Sequence, residues 1–143
     1  MTADEPINVD RLSDDQLAVA LQAGIVGSDW AEQAAVDLLV QQRSWLRRAE
    51  LRQAIVAAII DGELCAWVIW HEVTTDVPAS SGELRIRALA ASLAGVASER
   101  NLGDLLTSLD HTNTARVLRA ISIACSGRDT ICCGVVDGGE GVS

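Results

Sequence analysis

The segment DGELCAWVIWHEVTT, residues 61–75, decides whether this chain is entirely helical. Asp61-Gly62 is a dipeptide typical of tight turns, and the residues after it are rich in β-branched and aromatic side chains, which favour strands. We predict one strand or a short β-hairpin near residues 64–74, closed by the Asp-Gly turn. A short helix over the same residues is the alternative, because so short an apolar run fits both patterns.

The segments on either side of this stretch carry helical patterns. Ser13 and Gln16 form a capping box at the start of the first helix, which should end near Gly24. We predict an all-α class, with about six helices in a compact orthogonal bundle and the possible hairpin as an addition. Apolar residues recur at helical spacing in five further segments: residues 28–42, 45–60, 82–97, 101–109 and 111–125.

A single domain accounts for this pattern. The chain has 143 residues, of which 49% are apolar, and this is enough for one core. We predict one helical domain at residues 13–127, between a flexible acidic N-terminus at residues 1–12 and a flexible Gly-rich acidic tail at residues 128–143. No run approaches the roughly 20 apolar residues of a membrane span, and the acidic start does not resemble a signal peptide. We therefore expect a cytoplasmic protein without membrane contact.

Several residue types are missing from the chain. It contains no Lys, Phe or Tyr, and all eleven basic residues are Arg. Arg has GC-rich codons, whereas Lys, Phe and Tyr do not, so this composition indicates a bacterium with a GC-rich genome. Without Lys, a P-loop and Schiff-base chemistry are excluded. His71 and His111 are the only candidates for a histidine base, and no G-x-S-x-G motif accompanies them. We predict that the protein is not an enzyme and carries no cofactor.

The tryptophan-rich stretch CAWVIWH, residues 65–71, is the first candidate site. In a strand, Trp67 and His71 share one face and Trp70 lies on the other; in a helix the three cluster. Packing in the core is the simpler interpretation, because Trp must supply the aromatic bulk of this chain. The functional alternatives are a ligand pocket between the indoles, with His71 at its rim, or a contact surface for a protein partner.

Charge is segregated along the chain, whose net charge is −9. Residues 1–42 carry eight acidic side chains against Arg11, whereas residues 43–52 carry four Arg against one Glu. A basic partner, a contact between copies of the chain, or solubility alone explains such a pattern. Arg47 and Arg48, in the basic run, are therefore further candidates for partner contact.

Residues 102–124 suggest an alternative function. Two predicted helices joined by a tight turn at Asp110-His111 have the outline of a helix-turn-helix DNA-binding motif, with Arg116 and Arg119 as candidate DNA contacts. Binding to phosphate backbones depends on positive charge. The acidic total therefore makes nucleic acid an unlikely partner.

The C-terminal cysteines suggest a second alternative, a metal-binding or thiol-redox protein. Cys125, Cys132 and Cys133 are spaced C-x6-C-C, with His111 as a possible fourth ligand. Zinc sites usually use C-x2–4-C pairs, so these residues are weak candidates and we predict no metal site.

The function that we predict is therefore a non-enzymatic interaction or regulatory module. Catalytic side chains are sparse, whereas apolar helix faces and segregated charges are plentiful. The expected partner is another protein or a second copy of the chain in a homodimer.

Overall fold

The computed structural model describes residues 5–73, 81–97, 101–107 and 109–127. The first four residues and the tail predicted at residues 128–143 lie outside these ranges. Two short 3₁₀ turns, at Val9–Arg11 and Trp70–Glu72, accompany the main elements. In chain order these elements are β1 (Glu5–Ile7), α1 (Asp14–Gly24), α2 (Trp30–Gln41), α3 (Arg43–Leu46), α4 (Ala49–Arg52), β2 (Ile55–Ile60), β3 (Glu63–Val68), α5 (Ser81–Leu93), α6 (Leu102–Leu106) and α7 (His111–Ser126).

The chain is mostly helical, as the sequence predicted, but the all-α class and the orthogonal bundle are not confirmed. Three strands form an antiparallel sheet in the order β1–β2–β3. The fold therefore combines helices with a small sheet, and its central strand is β2.

The Asp-Gly hairpin is present, although it begins earlier than predicted. Strands β2 and β3 pair from Ile55 opposite Val68 to Ile60 opposite Glu63. Asp61 and Gly62 connect them with φ angles of 52° and 80°, and two consecutive positive φ angles characterise the tight turns that match strand twist. The hairpin thus occupies residues 55–68, not 64–74.

The helix predicted at residues 45–60 is wrong. Two four-residue helices, α3 and α4, occupy its first half, and β2 occupies its last six residues. Four Arg near its start oppose the helix dipole, and the sequence IVAAII of β2 is rich in β-branched residues that favour a strand. The Arg52 side chain stabilises the resulting corner, since its guanidinium donates to the carbonyl oxygens of Leu46 (2.6 Å), Val9 (2.8 Å) and Leu12 (2.8 Å).

Residues 5–12 belong to the segment that we predicted to be flexible, yet they pair with the rest of the fold. Strand β1 lies antiparallel to β2, with Glu5 opposite Ile59 and Ile7 opposite Ala57. Val9 is buried in the core. The N-terminal segment therefore supplies one edge of the sheet.

The predicted ends of α1 and α7 agree with the observed ones, whereas the helix predicted at residues 82–97 ends at Leu93. Ser13 and Gln16 form both hydrogen bonds of the capping box of α1, and Asp110 caps α7 by accepting from the backbone N–H of Asn113 at 2.7 Å. Helix α2 is capped by Asp29 rather than by Ser28. Gly127 ends α7 in the left-handed conformation, with φ 77°, as expected for a glycine in this position.

Helix α2 lies at the centre of the fold, where it contacts α1, α5 and α7. Helix α1 lies on the sheet through a close approach of backbones: a Cβ atom added to Gly24 would be 2.1 Å from the carbonyl oxygen of Ala66 in β3. Among the helices that the structure describes, none is long and apolar enough to cross a membrane.

Candidate interaction surface

The tryptophans of CAWVIWH serve packing. Trp67 is half-buried, and its indole N–H donates to the carbonyl oxygen of Gly24 at 3.0 Å, which joins β3 to the end of α1. Trp70 is buried in the core, whereas His71 is exposed. In the same stretch, burial raises the pKa of the Cys65 thiol, with a further contribution from the carboxylates of Glu63 and Asp61. These placements favour the packing interpretation over a pocket.

A third tryptophan, which sequence reasoning did not single out, organises an arginine cluster. Trp45 is fully buried, and the guanidinium carbons of Arg87 and Arg48 lie 3.8 Å and 5.0 Å from the ring centroid. Arg87 is 0% exposed, and burial lowers its pKa to about 10. Arg48 also donates to Glu83 at 3.2 Å. The periodicity of α5 could not reveal this cluster, because an Arg beside an apolar stripe is normally read as solvent-facing.

The basic run and the acidic N-terminal residues form ion pairs with each other at the surface of the molecule. Arg47 donates to Asp14 at 2.6 Å, Arg43 donates to Asp15 at 2.7 Å, and Arg52 donates to Asp14 at 3.2 Å. The hydrogen bond from Arg47 is the main cause that lowers the pKa of Asp14. The segregation of charge along the sequence thus produces contacts between α1 and the α3–α4 corner, and Arg47 and Arg48 already have internal partners.

The two candidate DNA contacts point toward α2. Arg119 donates through Nε to both carboxylate oxygens of Asp37, at 3.1 Å each. Arg116 donates to the Gln42 side chain and, at 3.2 Å, to Asn113. The first helix of the proposed helix-turn-helix, α6, has only five residues. This arrangement engages the arginines in packing α7 against α2.

The candidate metal ligands within the described residues lie far apart. His111 begins α7 and Cys125 is near its end, so the helical rise separates them by about 21 Å. Cys132 and Cys133 lie outside the described residues. In the part of the chain that the structure describes, no group of three or more His, Cys, Asp or Glu side chains is placed to hold a metal ion.

The outward side of α7 carries a narrow stripe of uncharged side chains. We define the α7 stripe as Thr114, Leu118, Ile121 and Cys125, which are spaced by four, three and four residues and therefore share one side of the helix. Leu118 is 44% exposed and Ile121 is 42% exposed. Helix α7 contains no acidic residue, and Arg116 and Arg119 donate to Gln42 and Asp37, although the Arg119 side chain is still 43% exposed.

Trp30 lies exposed near the C-terminal end of α7. It is the first residue of α2 and is 51% exposed, and a Cβ atom added to Gly127 would be 2.6 Å from its indole nitrogen. A shallow surface cleft of about 530 Å³ lies beside it, lined in part by Asp29, Leu93 and Ala124. Ala124 lies on the side of α7 that faces α2, so this cleft is distinct from the α7 stripe.

Comparison with known proteins finds no matching protein family, curated protein or solved structure. The fold defines a mostly helical domain with a three-stranded antiparallel sheet.

Proposed function

We propose that this protein is a non-enzymatic protein-interaction module and that the α7 stripe is its contact surface. The observation that carries the proposal is the exposure of Leu118 and Ile121, the two large apolar residues of the uncharged α7 stripe. Single exposed apolar residues are ordinary on protein surfaces. An apolar stripe with regular spacing on one helix is different, because such a surface is typical of helix-to-helix recognition.

The charges of the molecule support a protein partner over nucleic acid. The net charge is −9, and the arginines of the helix-turn-helix interpretation contact Asp37 and Gln42 within the fold. A DNA-binding helix needs basic side chains directed outward. A regulatory role in the bacterial cytoplasm belongs to the same proposal, and Cys65 and Cys125, the cysteines within the described residues, are free thiols.

Site-specific photo-crosslinking in cells tests the proposal. A photoreactive amino acid is placed at Leu118 in one variant and at Thr112, an exposed α7 residue off the stripe, in a matched control. We expect a discrete crosslinked protein product from position 118 and none from position 112. The absence of a product at position 118, or the same products from both positions, would contradict the proposal.

Steady turnover of a substrate by the pure protein would contradict the proposal that this protein is not an enzyme. His71 and His111 are the side chains to replace in that case, because they are the histidines of the chain and both are exposed. Loss of turnover in either His→Ala variant would identify catalysis and reject this part of the proposal.

A further inference from the structure

We infer that the chain's own residues 131–136, ICCGVV, dock in the surface cleft beside Trp30. These residues belong to the C-terminal segment that lies outside the described ranges. The cleft is distinct from the α7 stripe, so the inference goes beyond the proposed function and does not depend on it.

The Trp30 cleft lies where the start of α2 and the ends of α5 and α7 come together, and its volume is about 530 Å³. Trp30 is 51% exposed there, more than any other tryptophan of the chain. Exposed apolar surface beside a cleft is typical of a contact site. The apolar residues that line it are Trp30, Ala31, Leu93, Ala94 and Ala124.

The chain leaves α7 at the border of this cleft. Ala124, which lines the cleft, lies about one helical turn before Gly127. Gly127 itself is so close to the indole of Trp30 that an added Cβ atom would be 2.6 Å from the ring nitrogen. Residue 131 follows four positions later, and an extended chain covers about 13 Å over that distance. The segment that begins at Ile131 is therefore within reach of the whole cleft.

The composition of the C-terminal segment indicates which part of it docks. Residues 128–143 contain six apolar side chains, and five of them lie at positions 131–136. From Asp137 onward the sequence is dominated by glycine and acidic residues. Only the part nearest Gly127 thus has apolar side chains to bury against Trp30 and Leu93, and burial of apolar surface is the main source of contact energy.

The short connection to α7 favours the chain's own segment over another molecule. A segment joined by a short flexible linker has an effective concentration in the millimolar range at its site. The same segment of a second copy reaches that concentration only in a millimolar solution. The cleft also has the size of a small-ligand site, about 300–1,000 Å³, which suits a few side chains better than a folded partner.

Fluorine NMR of the full chain, labelled with fluorotryptophan, tests the contact at Trp30, whose resonance is the one missing from Trp30→Phe. Val135→Asp and Ile131→Asp each put a charge in the docked segment, and Val142→Asp puts the same charge outside it. We expect the Trp30 resonance to move in the first two variants, and its shift between light and heavy water to increase, because the indole becomes more exposed. Val142→Asp should give the parent spectrum. A Trp30 resonance that stays unchanged in Val135→Asp and Ile131→Asp would overturn the inference.

The reactivity of the cysteines tests the same contact from the other side. Docking should slow alkylation of Cys132 and Cys133 by iodoacetamide, because a thiol must be accessible to react. Trp30→Ser should therefore speed their alkylation several-fold and leave the exposed Cys125 unchanged. Val19→Ser, at an exposed apolar residue of α1 outside the cleft, is the matched control and should have no effect. Peptide mapping by mass spectrometry measures the rates, and equal rates in the two variants would overturn the inference.

Protein concentration distinguishes docking within one chain from docking on a second copy. A contact within one chain gives the same Trp30 resonance and the same alkylation rates from about 10 µM to 1 mM. If both change with concentration, the segment docks on another copy and the inference is overturned. Photo-crosslinking at Leu118 tests the α7 stripe and not the cleft, so a failure of the proposed function is seen separately.

Discussion

The two faces of α7 differ in burial although both carry apolar residues. Its inner face packs Val117 and Ile123 into the core, as in most surface helices, while its outer face presents Leu118 and Ile121 to solvent. The guanidinium groups of Arg116 and Arg119 donate to Gln42 and Asp37, and the Arg119 side chain remains 43% exposed. Because both arginines bond within the fold, the outer apolar residues Leu118 and Ile121 are left uncovered by them.

The largest expected difference in the free energy of unfolding is between substitutions at two consecutive residues, one on each face of α7. Val117 is buried against the core, and Leu118 is exposed. We expect Val117→Asp to lower the free energy of unfolding by about 3–5 kcal/mol, because it buries a carboxylate without a partner. Leu118→Asp should change it by less than about 0.5 kcal/mol, as surface substitutions usually do. Urea unfolding at low protein concentration measures both, and similar losses from the two variants would show that the faces do not differ.

The ion pair of the inner face should give the next largest effect. Arg119→Met removes the Nε–H that donates to both oxygens of the buried Asp37 carboxylate, and the Arg119 and Asp37 side chains are 43% and 10% exposed. We expect a loss of about 2 kcal/mol, less than for a fully buried pair because water reaches Arg119. Adding Asp37→Leu to Arg119→Met should recover most of that loss in the same unfolding experiment. An Arg119→Met variant as stable as the parent would mean that α7 does not depend on this pair.

A smaller effect is expected where α7 ends beside α2. Gly127→Ala should cost about 1–2 kcal/mol, because an L-residue is strained at this φ of 77°, and its Cβ would also press on the indole of Trp30. In a Trp30→Ala background, the loss of stability caused by Gly127→Ala should fall to the contribution of backbone strain alone. A thermal-unfolding cycle of the four proteins measures the coupling, and strict additivity would contradict the contact.

The smallest effect should come from the exposed ion pairs of α1. The pKa of Asp14 in the folded protein is below its ordinary value of 3.8, first because Arg47 donates a hydrogen bond to its carboxylate. A lowered folded pKa gives stability that is present above the unfolded pKa and is lost as the pH falls through the folded pKa. The difference in Tm between the parent and Asp14→Asn should therefore be constant from pH 7 to about pH 5, should shrink as the pH falls below 3.8, and should disappear once the pH is below the lowered pKa of the folded protein. A difference that persists unchanged at pH 2 would exclude this origin.

Helix ends could be predicted from the sequence because their signals are local. The Ser13–Gln16 capping box, the Asp110 cap and Gly127 each act on a backbone turn within four residues. The Asp61-Gly62 turn was equally local. These are positions where the neighbouring residues alone determine the conformation.

Features that depend on tertiary contact could not be predicted in the same way. The apolar positions of residues 51–59 fit a helix, and only pairing with β3 on one side and β1 on the other makes residues 55–60 a strand. Likewise, Arg87 is buried because Trp45, more than forty positions earlier, supplies an aromatic face for it. For the candidate surface, the sequence indicated amphipathic helices and segregated charge, but the structure was needed to show that the arginines of α7 turn inward.

The order of β1 before β2 in the chain affects the risk of aggregation during synthesis. The central strand of the sheet, β2, has the sequence IVAAII. It is an uncharged apolar segment of the kind that pairs with other copies and starts aggregation when its edge is unpaired. During synthesis β1 leaves the ribosome before β2. The strand that pairs with this edge of β2 is therefore available when β2 emerges. Pro6 lies in that covering strand and has no N–H to offer a further strand. A circular permutant that moves residues 1–12 behind the rest of the chain would reverse this order. We expect it to form more inclusion bodies than the parent, while the Tm of its folded fraction stays the same.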